Sequence, residues 1–303
     1  MKIVIPPPLR PGDRIGVVAP SGMIRRERLD RGLAYLRGRG YDPVPAPHVL
    51  DRLAYLAGPD AVRLADLNAQ LNADDLAAVW FARGGYGCSR IVSDVDLAAL
   101  RRRPKALIGF SDITVLHAAA FRRVGLSTFH GPHVCQLGEP GAYDETTLWA
   151  ALSGSIDPLK YPLPADSVLR AGRAEGRLIG GCLSLLVSLV GTPDEAPFDG
   201  AILFWEDVGE EPYRLDRMLA HLRNSGRLAK LRGLIVGTTA GCRAAIPEND
   251  LPLTEILETH LRGTDYPVVV GFPAGHAPGA VTFPLGRLAC LDTGAGTLEI
   301  QSA

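Results

Sequence analysis

Three polar residues that together could activate a hydroxyl stand far apart in the chain: Ser111, Glu206 and His276. A serine hydroxyl is a weak nucleophile until a base takes its proton. An imidazole does this best when a carboxylate orients it and stabilises the imidazolium. The three are spaced 95 and 70 residues apart, so no local rule joins them and only the fold can. Each lies at the end of a strand-like run. Ser111 follows KALIGF, Glu206 closes AILFW, and His276 lies in AGHAP after PVVVG. In open α/β sheets the carboxyl ends of strands are where ligands bind. Ser111 also fits the N-cap of the helical run ITVLHAAA, and the two roles are compatible. A nucleophile at a strand-to-helix turn has the amide of Asp112 beside it, at the positive helix end where an oxyanion can be held. The turn is not the nucleophile elbow G-x-S-x-G, because GFSDI carries Ile113 at the last position.

RGGYG (Arg83–Gly87) also follows a buried run and must be weighed as a phosphate cradle. Arg90 stands where the dinucleotide fingerprint needs Gly or Ala, the acid about 20 residues on is absent, and there is no G-x-x-x-x-G-K-[ST]. Consecutive glycines still let a backbone approach a ligand and aim N–H groups at an anion, which suits an oxyanion hole or a carboxylate grip. The acidic run WEDVGEE fixes no ligand count and reads as a solvated loop. His117 reads as packing, and His130 and His133 lack a third ligand. No metal and no cofactor is expected.

The elements that must position these residues are legible as alternation. RIGVVAPSG reads as a buried strand, followed by Leu29, Leu33 and Leu36 at helical spacing. A helix over about 61–71, the runs LAAVWFA and KALIGF, a helix over 112–123 and the short strand LSTFH follow. Short buried strands alternating with helices predict an α/β fold whose N-terminal part is a doubly wound, mainly parallel sheet. The stretch SGSIDPLKYPLPADS has no sustained periodicity and reads as a linker. The expected division is an α/β domain over 1–152, a linker over 153–170, and a smaller α+β, β-rich domain over 171–303.

Composition bounds the partners. The 303 residues are 47% hydrophobic and 21% charged with a net charge of −1, enough apolar content for buried cores. That charge balance leaves no footprint for nucleic acid. No apolar run approaches the ~20 residues of a membrane span, and MKIVIPPPLRPGD lacks the features of a secretory leader. Cys88, Cys135, Cys182, Cys242 and Cys290 form no C-x-x-C, so reduced thiols in a cytoplasmic protein are expected.

Taken together, LRPGDRIGVVAPSG, WFARGGYGCSRI, LIGFSDIT, GGCLSLLVSLVGTP, LFWEDVGEEPYRLDRML and GFPAGHAP resemble the LD-carboxypeptidase (muramoyltetrapeptide carboxypeptidase) family of serine peptidases. The resemblance runs over nearly the whole chain. It implies a Ser–His–Glu triad on Ser111, His276 and Glu206, with an oxyanion hole from the amides of Asp112 and Gly85. It also implies release of the terminal D-Ala from a murein tetrapeptide in cell-wall recycling, and a possible homodimer. Arg83, Gly84, Tyr86 and Trp205 are the candidates for substrate binding. One departure stands out: the family usually carries Asn where this chain has Cys182, which cannot supply an amide's donors and acceptor. An alternative within the resemblance is an immunity-type carboxypeptidase like the microcin C self-immunity enzymes, which cleave an aminoacyl-nucleotide toxin. An alternative of another class is a non-catalytic small-ligand-binding α/β protein.

Overall fold

The computed structural model describes residues 2–301. The N-terminal strands are β1 (Arg14–Val18), β2 (Asp42–Pro45), β3 (Ala78–Phe81), β4 (Ala106–Gly109) and β5 (Thr128–His130). All five run parallel, in the order β5-β4-β3-β1-β2. Strands covered on both faces must be apolar throughout, and β3 and β4 are buried at every position. β2 carries two prolines. It is tolerated because it lies at the sheet edge, where a lost N–H breaks no inner ladder.

The second sheet contains β6 (Leu159–Pro162), β7 (Val168–Arg170), β8 (Arg173–Cys182), β9 (Ala201–Val208), β10 (Gly233–Ala240) and β11 (Val268–Val270). Then come β12 (Phe283–Leu285), β13 (Leu288–Asp292) and β14 (Thr297–Ile300). Eight of these nine make one mixed sheet in the order β6-β14-β13-β8-β9-β10-β11-β7, parallel from β8 to β11 and antiparallel outside. The ninth, β12, leaves its neighbours and pairs antiparallel with β5, closing the edge of the first sheet. Residues 153–170, read from sequence as a linker, include β6 and β7. Their prolines and short length hide them from any periodicity test, yet both are ordinary members of the larger sheet.

The two sheets meet along the helix Thr114–Val124, which follows β4 and is buried along most of its length. Gly181 has φ +144°, and a Cβ there would lie 2.3 Å from Thr114 Oγ1. Only glycine lets β8 come this close. The adjacent Cys182 N–H then donates to Thr114 Oγ1 at 2.9 Å. At the other end of the same helix, Arg123 grips Asp194 through two bonds of 2.7 and 2.6 Å. These contacts fix the relative placement of β4 and β9, and with them the site.

Candidate active site

Ser111 stands two residues past the end of β4, in a single 3-10 turn (Ser111–Ile113) that leads into the helix Thr114–Val124. Its φ is +59°, a left-handed conformation uncommon for a residue with a Cβ. Such strain costs of the order of 1–3 kcal/mol and persists only where the surroundings over-determine it. Phe110, in extended conformation, delivers the chain to this turn. Its ring lies between His133 and His276, with centroids at 4.4 and 4.8 Å.

Glu206 lies near the end of β9 and is fully buried. His276 sits in the loop after β11, which is pinned to β10 by Phe272 N–H to Val236 O at 3.0 Å and Thr238 N–H to Ala274 O at 2.9 Å. Its Nδ1 is 2.6 Å from Glu206 Oε2 and its Nε2 is 3.0 Å from Ser111 Oγ. The consistent tautomer has Nδ1–H donating to the carboxylate and Nε2 accepting from the hydroxyl. Burial pushes the Glu206 carboxyl up from its usual range, and the bond to His276 opposes that shift. Glu206 Oε1 has no hydrogen-bond partner among the described residues, so the carboxylate commits its bond to the imidazole. The arrangement can deprotonate a serine and hand the proton to a leaving group.

The glycine loop faces this constellation. A Cβ on Gly84 would lie 2.9 Å from Ser111 Cβ and 3.1 Å from its Oγ, so the loop touches the serine without room for a side chain. Gly85 follows with φ +115°. The structure therefore brings together Ser111, Asp112, Gly84, Gly85, Glu206 and His276. Arg83 is exposed and donates to Met23 O at 2.7 Å. Tyr86 is half exposed, with its ring 5.9 Å from that of Tyr55. Trp205 is not brought to the site. Side chains alternate along a strand, so the neighbour of Glu206 points to the opposite face, where Trp205 is fully buried among Leu203, Leu219 and Leu222.

Asp207, read from sequence as part of a solvated loop, is buried. It accepts the Ser184 N–H at 2.8 Å and lies 3.4 Å from Cys182 Sγ. Burial, then the nearby Asp207 and Glu206, push the Cys182 thiol well up, so it stays protonated and supplies only a weak donor here. Sequence reasoning missed the buried support of the serine turn: the Asp112 side chain with Ser21 and Cys88, and His133, whose Nε2 is 3.1 Å from Phe110 O. The one available signal was the serine of APSG, Ser21, which lies beyond a buried strand as Ser111 does.

Two family models match the chain: the LD-carboxypeptidase N-terminal domain over residues 15–131 and the LD-carboxypeptidase C-terminal domain over residues 175–291. The chain belongs to the LD-carboxypeptidase family. It is an enzyme of the serine carboxypeptidase class. A murein tetrapeptide carboxypeptidase of Pseudomonas aeruginosa is 34% identical over 291 residues, covering 92% of this chain and 93% of the relative. The crystal structure of a muramoyltetrapeptide carboxypeptidase from Oxalobacter formigenes superposes with TM-score 0.84 at 30% identity, covering 95% of this chain and 97% of the other. MccF in complex with glutamyl sulfamoyl guanosine superposes with TM-score 0.90 at 25% identity over 98% of both chains. Among the described residues, no helix is long and apolar enough to cross a membrane.

Proposed function

We propose that this carboxypeptidase releases the terminal D-Ala of murein tetrapeptides, with Ser111, His276 and Glu206 as its catalytic triad. The observation that carries the reading is the unbroken chain from Ser111 Oγ through His276 to the buried Glu206, at 3.0 and 2.6 Å. Ser111 Oγ attacks the carbonyl of the L,D amide while His276 Nε2 takes its proton. The tetrahedral oxyanion is held by the amides of Asp112 and Gly85. His276 then protonates the D-Ala nitrogen, the C–N bond breaks, and an acyl-enzyme remains. Water, deprotonated by the same imidazole, attacks that ester and frees Ser111. Glu206 holds the imidazole in the required tautomer throughout. Arg83, beside the glycines, meets the free carboxylate of the terminal residue.

Murein is preferred to an aminoacyl-nucleotide because both relatives named for murein tetrapeptides are at least 30% identical to this chain. Trp205, the one tryptophan adjacent in sequence to the site, is buried and offers no face for a nucleobase. We place the enzyme in the cytoplasm, where its five unpaired thiols stay reduced and where it would recycle incoming wall peptides. We place the division near residue 153, with β6 and β7 counted in the C-terminal part. Neither part is active alone, because Ser111 lies on one side and Glu206 and His276 on the other. A homodimer is carried from the family resemblance, and sedimentation measures it. The deciding experiment assays free D-Ala from muramoyl-tetrapeptide, muramoyl-pentapeptide and an aminoacyl-adenylate analogue. Release from the tetrapeptide with the pentapeptide spared supports the reading. No D-Ala from any tetrapeptide rejects it, and cleavage of the adenylate alone selects the immunity-type alternative.

A further inference from the structure

Asp112 is almost completely buried, and its side chain does something its backbone does not. One oxygen, Oδ2, accepts Ser21 Oγ–H at 2.6 Å and Cys88 N–H at 2.9 Å. These partners lie on two different segments. Ser21 precedes Gly22, whose N–H donates to Gly84 O at 3.0 Å. Gly22 also backs Gly85 closely, for a Cβ on Gly85 would lie 3.2 Å from Gly22 Cα. Cys88 opens the short helix that follows the glycine loop. The carboxylate therefore holds the Gly84–Gly85 loop from both ends: through Ser21 and Gly22 on one side, and through Cys88 on the other.

A second buried charge grips the same segments from beneath. The Arg63 guanidinium donates to Pro20 O, the residue before Ser21, and to Gly87 O, the residue before Cys88, the latter at 3.2 Å. Burying a charge is costly unless hydrogen bonds compensate it, and here the compensating bonds go to the two segments that flank the glycine loop. Burial pushes the Asp112 carboxyl up, while the bonds from Ser21 and Cys88 and the field of Arg63 pull it down.

We infer that the Asp112 carboxylate is a positioning residue that sets the distance between its own amide and that of Gly85, so that both donors meet one oxyanion. This inference rests on the oxyanion roles given to those two amides in the proposed function. A donor displaced from the oxyanion costs about as much as one removed, roughly 10²–10³ in kcat.

The test compares Asp112→Ala, Asp112→Asn and Ser21→Ala with the wild type. D-Ala release from muramoyl-tetrapeptide is measured alongside the rate at which a fluorophosphonate labels Ser111. Asp112→Ala is expected to lose about 10²–10³ in kcat with KM within about threefold, and to be labelled correspondingly slowly. Asn keeps an acceptor oxygen in the same place, so Asp112→Asn should recover at least tenfold of that loss. Ser21→Ala, which leaves the Cys88 bond intact, should fall between them and keeps the inference testable if Asp112→Ala does not fold. Labelling at the wild-type rate in Ser21→Ala and Asp112→Ala overturns the inference. So does loss in Asp112→Asn as deep as in Asp112→Ala. A wild type that is labelled rapidly yet releases no D-Ala rejects the substrate reading, and the labelling rates still decide this one.

Discussion

Ser111 and the Glu206–His276 pair meet at one site but are held there in different ways. The serine side is built from backbone. It combines a residue at φ +59°, a glycine loop in van der Waals contact with it, and a buried carboxylate tying three segments together. The acid–base side is built from burial. Glu206 lies inside a parallel strand with one bond, and that bond is spent on the imidazole. Backbone precision suits a nucleophile and oxyanion donors, whose positions must match a transition state. Desolvation suits a carboxylate, because it strengthens the interaction with the imidazolium that forms during the reaction.

The largest expected effect removes the element both sides serve. Ser111→Ala should lower kcat by the order of 10⁴–10⁶ while leaving the thermal midpoint near that of the wild type, because triad members act as a unit. Turnover within tenfold of wild type would end the assignment. Next comes the acid side. Glu206→Gln keeps shape but loses charge and supports the wrong tautomer, so kcat should fall by about 10³–10⁴ with little change in KM. If its loss were as small as that of Ser21→Ala, burial of this carboxylate would not be serving catalysis.

Acid should then separate the two sides by stability. The serine side packs neutral histidines. Burial lowers His117 to about 4 and His133 to about 3, and pushes His130 down as well. Their folded pKa values lie below the unfolded value near 6.5, so the unfolded chain takes protons first as pH drops. Stability is therefore complete above about pH 6.5 and declines below it, continuing until the folded values are passed. Two such groups together remove of the order of 3 kcal/mol between pH 7 and 5. Urea midpoints across that range should show it, and a flat profile would contradict neutral burial. The smallest effect concerns the seam between the sides. Gly181→Ala places a Cβ 2.3 Å from Thr114 Oγ1, which should cost about 1–3 kcal/mol in urea and about tenfold in kcat as Glu206 moves from Ser111. Lost stability with unchanged kcat would show that the seam can give without disturbing the site.

The inner strands β3, β4 and β9 are legible because burial on both faces demands unbroken apolar runs. Ser111, Glu206 and His276 are legible because they break those runs at the ends where ligands bind. Other parts resist for physical reasons. β6, LKYP, alternates over four residues only, too few to stand out from a Pro-rich stretch. β12 has three residues, and nothing local announces that its partner is β5. Trp205 misleads because nearness in sequence puts it on the wrong face of β9. Asp112 is visible as an amide beside the nucleophile, but its side-chain role depends on Ser21 and Cys88, 91 and 24 residues away.

The pairing of β12 with β5 also has a consequence in time. Phe283 follows its partner His130 by 153 residues, so during synthesis the hydrogen-bonding edge of β5 stays open until almost the whole chain has emerged. An open edge invites pairing with other chains. The strand that finally covers it lies seven residues beyond His276. Capping the first sheet and delivering the imidazole thus belong to one late event, the base emerging only seven residues ahead of the strand that covers the edge.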